Sequence, residues 1–345
     1  MKASHYIVLF ICLVLASCRT DSQKGIDTFK ETQEITDFEV VFTDKSEPVG
    51  SIVELKKWKN VLIAAHYGDE YRFSFIDANS GKVLRRWGKI GEAPGEFIDF
   101  GMNFSVCDSS LVFPTTMKKE INTVSIPALL RGDEISVKRE SYPYTADFRP
   151  MKILPLGEEK VATGFFKSGL FGIVDSSNAV KGTYSDYPFP TELDNIYKGT
   201  VFQSLIETNE KKKCFVISIL ASDIFEIYQE ETDGISRIYT SPFMHEPQIK
   251  QSNGRYGIDD NESIAGILNI ATSDNAIYLG YSPLKYIEAS RQDYTFDEVL
   301  CFDWDGNPRK KYFLPFPAST LCADGDALYG VCNKGDEMLI CRFRL

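Results

Sequence analysis

The side chains best suited to chemistry are scarce in this sequence, which has three histidines and eight cysteines among 345 residues. No two cysteines form a Cys-x-x-Cys pair, which argues against a cysteine-based zinc site. His5 lies in an amino-terminal segment that is expected to be removed on export, so His66 and His245 are left as candidate general bases. Nucleophile elbows, phosphate-binding loops and dinucleotide fingerprints are missing from the sequence. The scarcity of such residues and motifs favours a non-catalytic function over an enzymatic one.

Four polar residues stand near the predicted starts of inner strands, where side chains should line an axial channel, and are candidates for a ligand site: Asn103, Arg149, Gln203 and Glu262. They supply one acid, two amides and one cation, and the cation opposes metal binding. We therefore predict no metal and no cofactor. Each of the four could equally be an ordinary polar residue beside water, and a calcium-assisted hydrolase or lyase is the alternative.

An enlarged loop between His245 and Glu262 carries a second candidate set. Long loops on a rigid scaffold are where binding specificity tends to lie. Within this loop, Arg255 and Tyr256 have the chemistry to contact an anionic or sugar-like ligand. We therefore include both in the predicted ligand-binding set.

The amino terminus predicts export. Ten apolar residues from Tyr6 to Leu15 are fewer than the ~20 that a membrane-spanning helix needs, and they suit an export signal. The segment Leu15-Ala16-Ser17-Cys18 resembles the lipobox of bacterial lipoproteins, which implies cleavage before Cys18 and lipid attachment to its thiol. An ordinary secretory signal is the alternative. Because residue 19 is Arg rather than Asp, we expect a lipid anchor in the outer membrane, with the protein facing the periplasm or the cell surface.

The elements that must position these residues repeat about every fifty residues. Six apolar runs follow polar turn residues, and their markers are separated by 50, 50, 54, 62 and 51 residues. The markers are Val61, Leu111, Val161, Phe215, Ile277 and Leu328. Each run reads as the second strand of a four-stranded unit, covered on both faces by neighbouring units. The spacing predicts an all-β fold, a six-bladed β-propeller of four-stranded antiparallel blades.

The ends of the chain indicate how the ring closes. The last unit lacks a fourth strand, while Phe38-Glu39-Val40-Val41-Phe42 forms a strand without a unit of its own. Pairing the two would remove exposed sheet edges. We therefore divide the chain into a signal peptide (1–17), a flexible tether (18–36) and a propeller (37–345) whose last blade is closed by the N-terminal strand.

A family resemblance rests on the segment Trp87-Gly88-Lys89-Ile90-Gly91-Glu92-Ala93-Pro94-Gly95-Glu96-Phe97. It resembles the G-x-x-G-x-G-P-G-E-F segment of six-bladed NHL/TolB-like propeller lipoproteins of Gram-negative bacteria, with Ala93 in place of a glycine. The glycines suit a crossing from one blade to the next, with Phe97 as a wedge between them. A structural role is favoured over a ligand role, and the resemblance implies fold more than function.

The net charge of the protein limits the classes of partner that are expected. The formal net charge is −11 and no run of five or more basic residues is present, which argues against nucleic acid as a ligand. The predicted function is a lipid-anchored, non-catalytic envelope module that binds or scaffolds a protein, peptide or glycan. The alternative is an envelope hydrolase or lyase, with or without assistance from calcium, whose site lies in the axial channel.

Overall fold

The computed structural model describes residues 29–345, except residues 46, 94, 102, 233, 243 and 244. The predicted signal peptide (1–17), the lipid attachment site Cys18 and the first part of the tether lie outside the described residues.

The described chain forms four separate four-stranded antiparallel sheets and one larger sheet that supplies two more blades. Two short strands come first: β1 (Thr32–Glu34) and β2 (Phe38–Thr43). Blade 1 contains β3 (Ser51–Trp58), β4 (Val61–Tyr67), β5 (Tyr71–Asp77) and β6 (Val83–Lys89). Blade 2 contains β7 (Ser105–Cys107), β8 (Ser110–Thr115), β9 (Glu120–Ser125) and β10 (Lys138–Ser141). Blade 3 contains β11 (Phe148–Leu156), β12 (Glu159–Phe166), β13 (Phe171–Val174) and β14 (Val180–Tyr184).

Blade 4 contains β15 (Ser204–Asn209), β16 (Cys214–Ile219), β17 (Phe225–Glu231) and β18 (Gly234–Thr240). A separate hairpin follows, made of β19 (Ile249–Ser252) and β20 (Arg255–Ile258). The last two blades contain β21 (Ile264–Thr272), β22 (Ile277–Lys285), β23 (Phe296–Phe302), β24 (Pro308–Asp324), β25 (Ala327–Lys334) and β26 (Glu337–Arg344). Three short helices lie in the connections: α1 (Ile126–Arg131), α2 (Asn195–Val201) and α3 (Tyr286–Ser290).

The second strand of each blade falls where the apolar runs predict it. Six of the seven residues of β4 and all six residues of β16 are buried. A strand covered on both faces needs apolar side chains on both, which explains continuous runs instead of alternation. The predicted all-β fold, with four-stranded antiparallel blades, is confirmed.

The amino-terminal strand closes the ring, as predicted. β2 pairs antiparallel with β26, with Phe38 opposite Phe343 and Val40 opposite Cys341.

Blades 5 and 6 share the 17-residue strand β24, whose first part pairs with β23 and whose last part pairs with β25. In addition, β1 pairs in parallel with β24, so the end of the segment predicted to be a flexible tether is a strand on blade 5.

One apolar cluster fills each junction between neighbouring blades. Among the described residues there are six such clusters, and each combines side chains from two adjacent blades. In the cluster between blades 6 and 1, the β2 residues Val41 and Phe42 join Leu62 of β4 and Ile340 of β26. The core is therefore a ring of inter-blade layers, and the ring leaves a channel at its axis.

The crossing from blade 1 to blade 2 has the structural role that its motif predicts. Phe97 is buried and packs against Trp87 of blade 1 and Phe113 of blade 2. The turn is held by Glu96, whose carboxylate accepts a hydrogen bond from the Ala93 N–H at 3.1 Å. Gly88 has a φ of 79°, a conformation that favours glycine.

Six cysteines lie in the described part of the chain, and all six are free thiols. A cross-strand bridge among Cys322, Cys332 and Cys341 was open from sequence. The register places Cys332 opposite Leu339 and Cys341 opposite Gly330, so these two cysteines are diagonal neighbours rather than direct partners, and their thiols lie within hydrogen-bond reach of each other. Of the six, Cys107 is half-buried and the others are buried.

Candidate functional site

An axial channel runs between the inner strands of all six blades. Its central part has a volume of about 150 Å³ and includes Asn103, which precedes β7. The channel continues through a section of about 170 Å³ into a wide mouth of about 770 Å³ at the carboxyl ends of the inner strands. We call this end the wide mouth. Its ionic side chains include close pairs such as Lys57 with Asp324 at 2.8 Å.

Four charged side chains from three blades meet in the channel, and we call them the axial cluster. They are Glu54 and Lys56 of β3, Lys152 of β11 and Glu207 of β15. Lys56 Nζ lies 2.5 Å from Glu207 Oε1 and 3.5 Å from Glu54 Oε1. The other carboxylate oxygen of Glu54 accepts a hydrogen bond from the Phe104 N–H at 3.1 Å. Lys56 therefore pairs with both carboxylates, whereas Lys152 forms no ion pair within 4.0 Å with either of them.

Burial controls the protonation of the axial cluster. Desolvation raises the pKa of Glu54 to about 7, with the Glu207 carboxylate adding to the rise while Lys56 and Lys152 oppose it. Desolvation lowers the pKa of Lys152. For Lys56, desolvation is outweighed by the carboxylates of Glu207 and Glu54, and the pKa of its ammonium is raised. Glu54 thus titrates near neutral pH while Lys56 stays charged.

Of the four residues predicted to line the channel, the structure places only Asn103 there. Its Nδ2 donates to the Ile153 carbonyl at 3.1 Å, and its buried Oδ1 has no hydrogen-bond partner. The channel prediction is wrong for the other three. Arg149 donates to the Ala146 carbonyl at 3.1 Å, and Glu262 is an exposed loop residue. Gln203 lines a separate pocket between blades 3 and 4.

Gln203 and Glu262 lie in the connections that precede β15 and β21, and Arg149 is the second residue of β11, where its guanidinium bonds back to the Ala146 carbonyl. Apart from Asn103, the channel is lined by side chains further along the inner strands. The sequence did contain a signal for the axial cluster, because Glu54 and Lys56 are two residues apart on β3 and therefore lie on the same face of that strand. Their partners Lys152 and Glu207 come from other blades, about 100 and 150 residues away along the chain.

Arg255 and Tyr256 lie together on the β19–β20 hairpin, inside the predicted enlarged loop. The hairpin packs against α2, where the Tyr256 ring lies 5.6 Å from the Tyr197 ring in an edge-on arrangement. Tyr197 is 46% exposed and Arg255 is exposed. We call the surface made by α2 and this hairpin the hairpin face. It lies at the end of the propeller opposite the wide mouth, because both elements connect an outer strand to the next inner strand.

The two remaining histidines have different surroundings. His66 is buried, its Nδ1 lies 3.2 Å from the Gly50 carbonyl, and burial lowers its pKa. His245 is half-exposed, and its Nδ1 lies 2.9 Å from a carboxylate oxygen of the buried Asp223. A carboxylate at that distance fixes the orientation of the imidazole, as in orienter–base pairs. His245 is therefore the better placed of the two to act as a base.

Within the described residues, the longest helix has seven residues and no helix is long and apolar enough to cross a membrane. In the same part of the chain, no three His, Cys, Asp or Glu side chains are grouped as metal ligands.

Comparisons with known proteins agree with the architecture. No curated protein matches the sequence. Among solved structures, a Bacteroides fragilis protein named as exported has a TM-score of 0.57 at 12% identity, and the alignment covers 91% of this chain and 99% of that one. A member of the DUF4221 family from Bacteroides vulgatus has a TM-score of 0.57 at 10% identity, covering 91% and 96%. At such identities the likeness concerns the fold alone. A family model described as TolB-like 6-blade propeller-like matches residues 32–326, and the chain therefore belongs to that family.

Proposed function

We propose that this protein is a lipid-anchored envelope module that binds a protein, peptide or glycan through its hairpin face without transforming it. The observation that carries the proposal is the hairpin itself. The β19–β20 hairpin is extra to the six blades, and it holds Arg255 and Tyr256 on a rigid scaffold beside the exposed Tyr197. Aromatic rings and arginine are the side chains most often found at the centre of binding surfaces.

Export and anchoring are supported by the Leu15–Cys18 segment and by the name of the Bacteroides fragilis neighbour. They are tested by growing cells with an alkyne-tagged fatty acid. We expect label on the wild-type protein and none on Cys18→Ser. Recovery of label on that variant would contradict anchoring at Cys18.

Binding is tested with immobilised protein lacking residues 1–17, applied to arrays of envelope glycans and peptides. We expect a hit that weakens at least tenfold in an Arg255→Ala, Tyr256→Ala double variant. The matched control is Lys59→Ala, Lys211→Ala at the wide mouth, which removes two exposed side chains from the opposite end. Loss of the hit in the control, with retention in the hairpin variant, would contradict the proposed face.

A hydrolase is the second candidate, and the His245–Asp223 pair is the observation that favours it. In that case His245 would activate water for attack on an ester or glycoside held beside it, outside the axial channel. A panel of chromogenic esters and glycosides tests this candidate. Turnover by the wild type that is lost in His245→Gln would establish the hydrolase and overturn the non-catalytic proposal.

A further inference from the structure

A small apolar pocket opens between blades 3 and 4, next to the axial channel. Its volume is about 130 Å³, and its apolar wall includes Phe165, Tyr187, Phe202, Leu205 and Leu220. An apolar cavity of about 150 Å³ is known to stay dry and to accept benzene. The pocket therefore has room for one aromatic ring or a short branched chain.

Lys152 borders both this pocket and the central channel. Among the described residues, no carboxylate oxygen lies within 4.0 Å of its ammonium nitrogen and no hydrogen bond to that nitrogen is found, so the charges of Glu54 and Glu207 act on it only from beyond that distance. The neighbouring Lys56 differs, because it takes up both acids of the axial cluster. A partly buried ammonium whose counter-ions lie beyond ion-pair distance is costly, and an anionic ligand in contact with it would offset that cost.

The local backbone explains why Lys152 stands at this junction. The pairing of β11 with β12 shifts by one residue between Pro150 and Lys152, so Met151 is a bulge residue. Bulges redirect side chains and occur next to binding sites. On the facing strand, a Cβ at Gly164 would lie only 2.3 Å from the Arg149 carbonyl oxygen, so the close approach requires glycine.

We propose that this pocket binds a monocarboxylate with an aromatic or branched apolar group, whose carboxylate pairs with Lys152 and whose apolar group fills the cavity. Gln203 lines the same pocket and is exposed, so its amide is available as a second donor to the carboxylate. A free organic acid and the carboxyl end of a peptide share this chemistry. The inference goes beyond the proposed function, since the pocket does not depend on the hairpin face binding a macromolecule.

The test uses the chain lacking residues 1–17 with Cys18→Ser, and phenylacetate as the probe, followed by ligand-observed NMR and calorimetry. We expect binding by the wild type and a loss of about ten- to hundredfold in Lys152→Met, because a charge-assisted hydrogen bond disappears. Lys57→Met is the matched control and should bind as the wild type does, because Lys57 pairs with Asp324 at the wide mouth.

A measurement on the wild type alone keeps the inference falsifiable if Lys152→Met does not fold. Phenylacetamide has the same shape without the charge and should bind at least tenfold more weakly. A peptide that ends in phenylalanine is compared with its amidated form and with phenylacetate. Stronger binding of the free-carboxyl peptide than of phenylacetate indicates that the natural ligand is a peptide end. The reverse order indicates a free acid. Failure of every carboxylate to bind, or equal binding of acid and amide, would overturn the inference. The Arg255→Ala, Tyr256→Ala variant should bind phenylacetate normally, so failure here is distinguishable from failure of the hairpin face.

Discussion

Replacing Glu54 with glutamine should stabilise the protein, and by more at high pH than at low pH. Desolvation raises the pKa of Glu54 from its ordinary value of 4.5 to about 7 in the folded state. An acid with a raised folded-state pKa binds its proton more tightly when folded, so the folded state loses stability as pH rises from 4.5 to 7. Glutamine removes this cost and keeps an oxygen that can accept the Phe104 N–H.

The size of the effect follows from the two pKa values. Linkage predicts that the free energy of unfolding of Glu54→Gln exceeds that of the wild type by about 1 kcal/mol at pH 5 and by about 3 kcal/mol at pH 8. Above pH 8 this difference should change little. The Glu54 side chain is 16% exposed, so solvent screens it only in part. Lys56 keeps its closer partner Glu207 at 2.5 Å, which limits what the substitution disrupts.

Urea unfolding, followed by tryptophan fluorescence between pH 5 and pH 8, measures this difference. Ionisable groups outside the axial cluster are common to both proteins, so their contributions cancel in the comparison. The isosteric control is Glu207→Gln, which breaks the 2.5 Å pair with Lys56 and should destabilise the protein by about 1–3 kcal/mol. A free-energy difference between wild type and Glu54→Gln that stays constant or shrinks as pH rises would refute the reasoning.

Three further predictions concern the scaffold. Phe42→Ala should lower the free energy of unfolding by about 3–5 kcal/mol, because Phe42 is buried where β2 closes the ring. Val40→Ala is the control on the same strand, and because Val40 is 46% exposed it should change that free energy by less than about 0.5 kcal/mol. Equal effects of the two substitutions in urea titrations would contradict closure by β2. With Cys18 replaced by serine and residues 1–17 removed, unreduced denatured protein should react with six equivalents of a thiol reagent; four equivalents would reveal a disulfide. Replacing residues 249–258 by a short glycine–serine turn should leave a cooperative thermal transition, since the β19–β20 hairpin pairs with no blade; loss of that transition would make the hairpin part of the scaffold.

Some elements of the ring could be predicted because their signal is local. The second strands need apolar side chains on both faces, so runs such as Cys214–Ile219 identify them directly. The unpaired run at Phe38 and the incomplete last unit were enough to predict the closure by β2. Other elements carried no such signal. β1 is only three residues long and exposes most of them, so its polar sequence resembles a tether.

By itself, the sequence determined the repeat, the number of blades and the strand that closes the ring, because burial on both faces of a strand requires apolar residues in adjacent positions. Only the tertiary structure decided which polar side chains meet. Glu54, Lys152 and Glu207 belong to three blades and come together because the ring brings inner strands to one axis. Arg149 and Glu262 stand just as close to a strand start in the sequence, yet lie outside the channel. Local alternation sets the face on which a side chain lies, but the convergence of distant side chains depends on contacts across the whole chain.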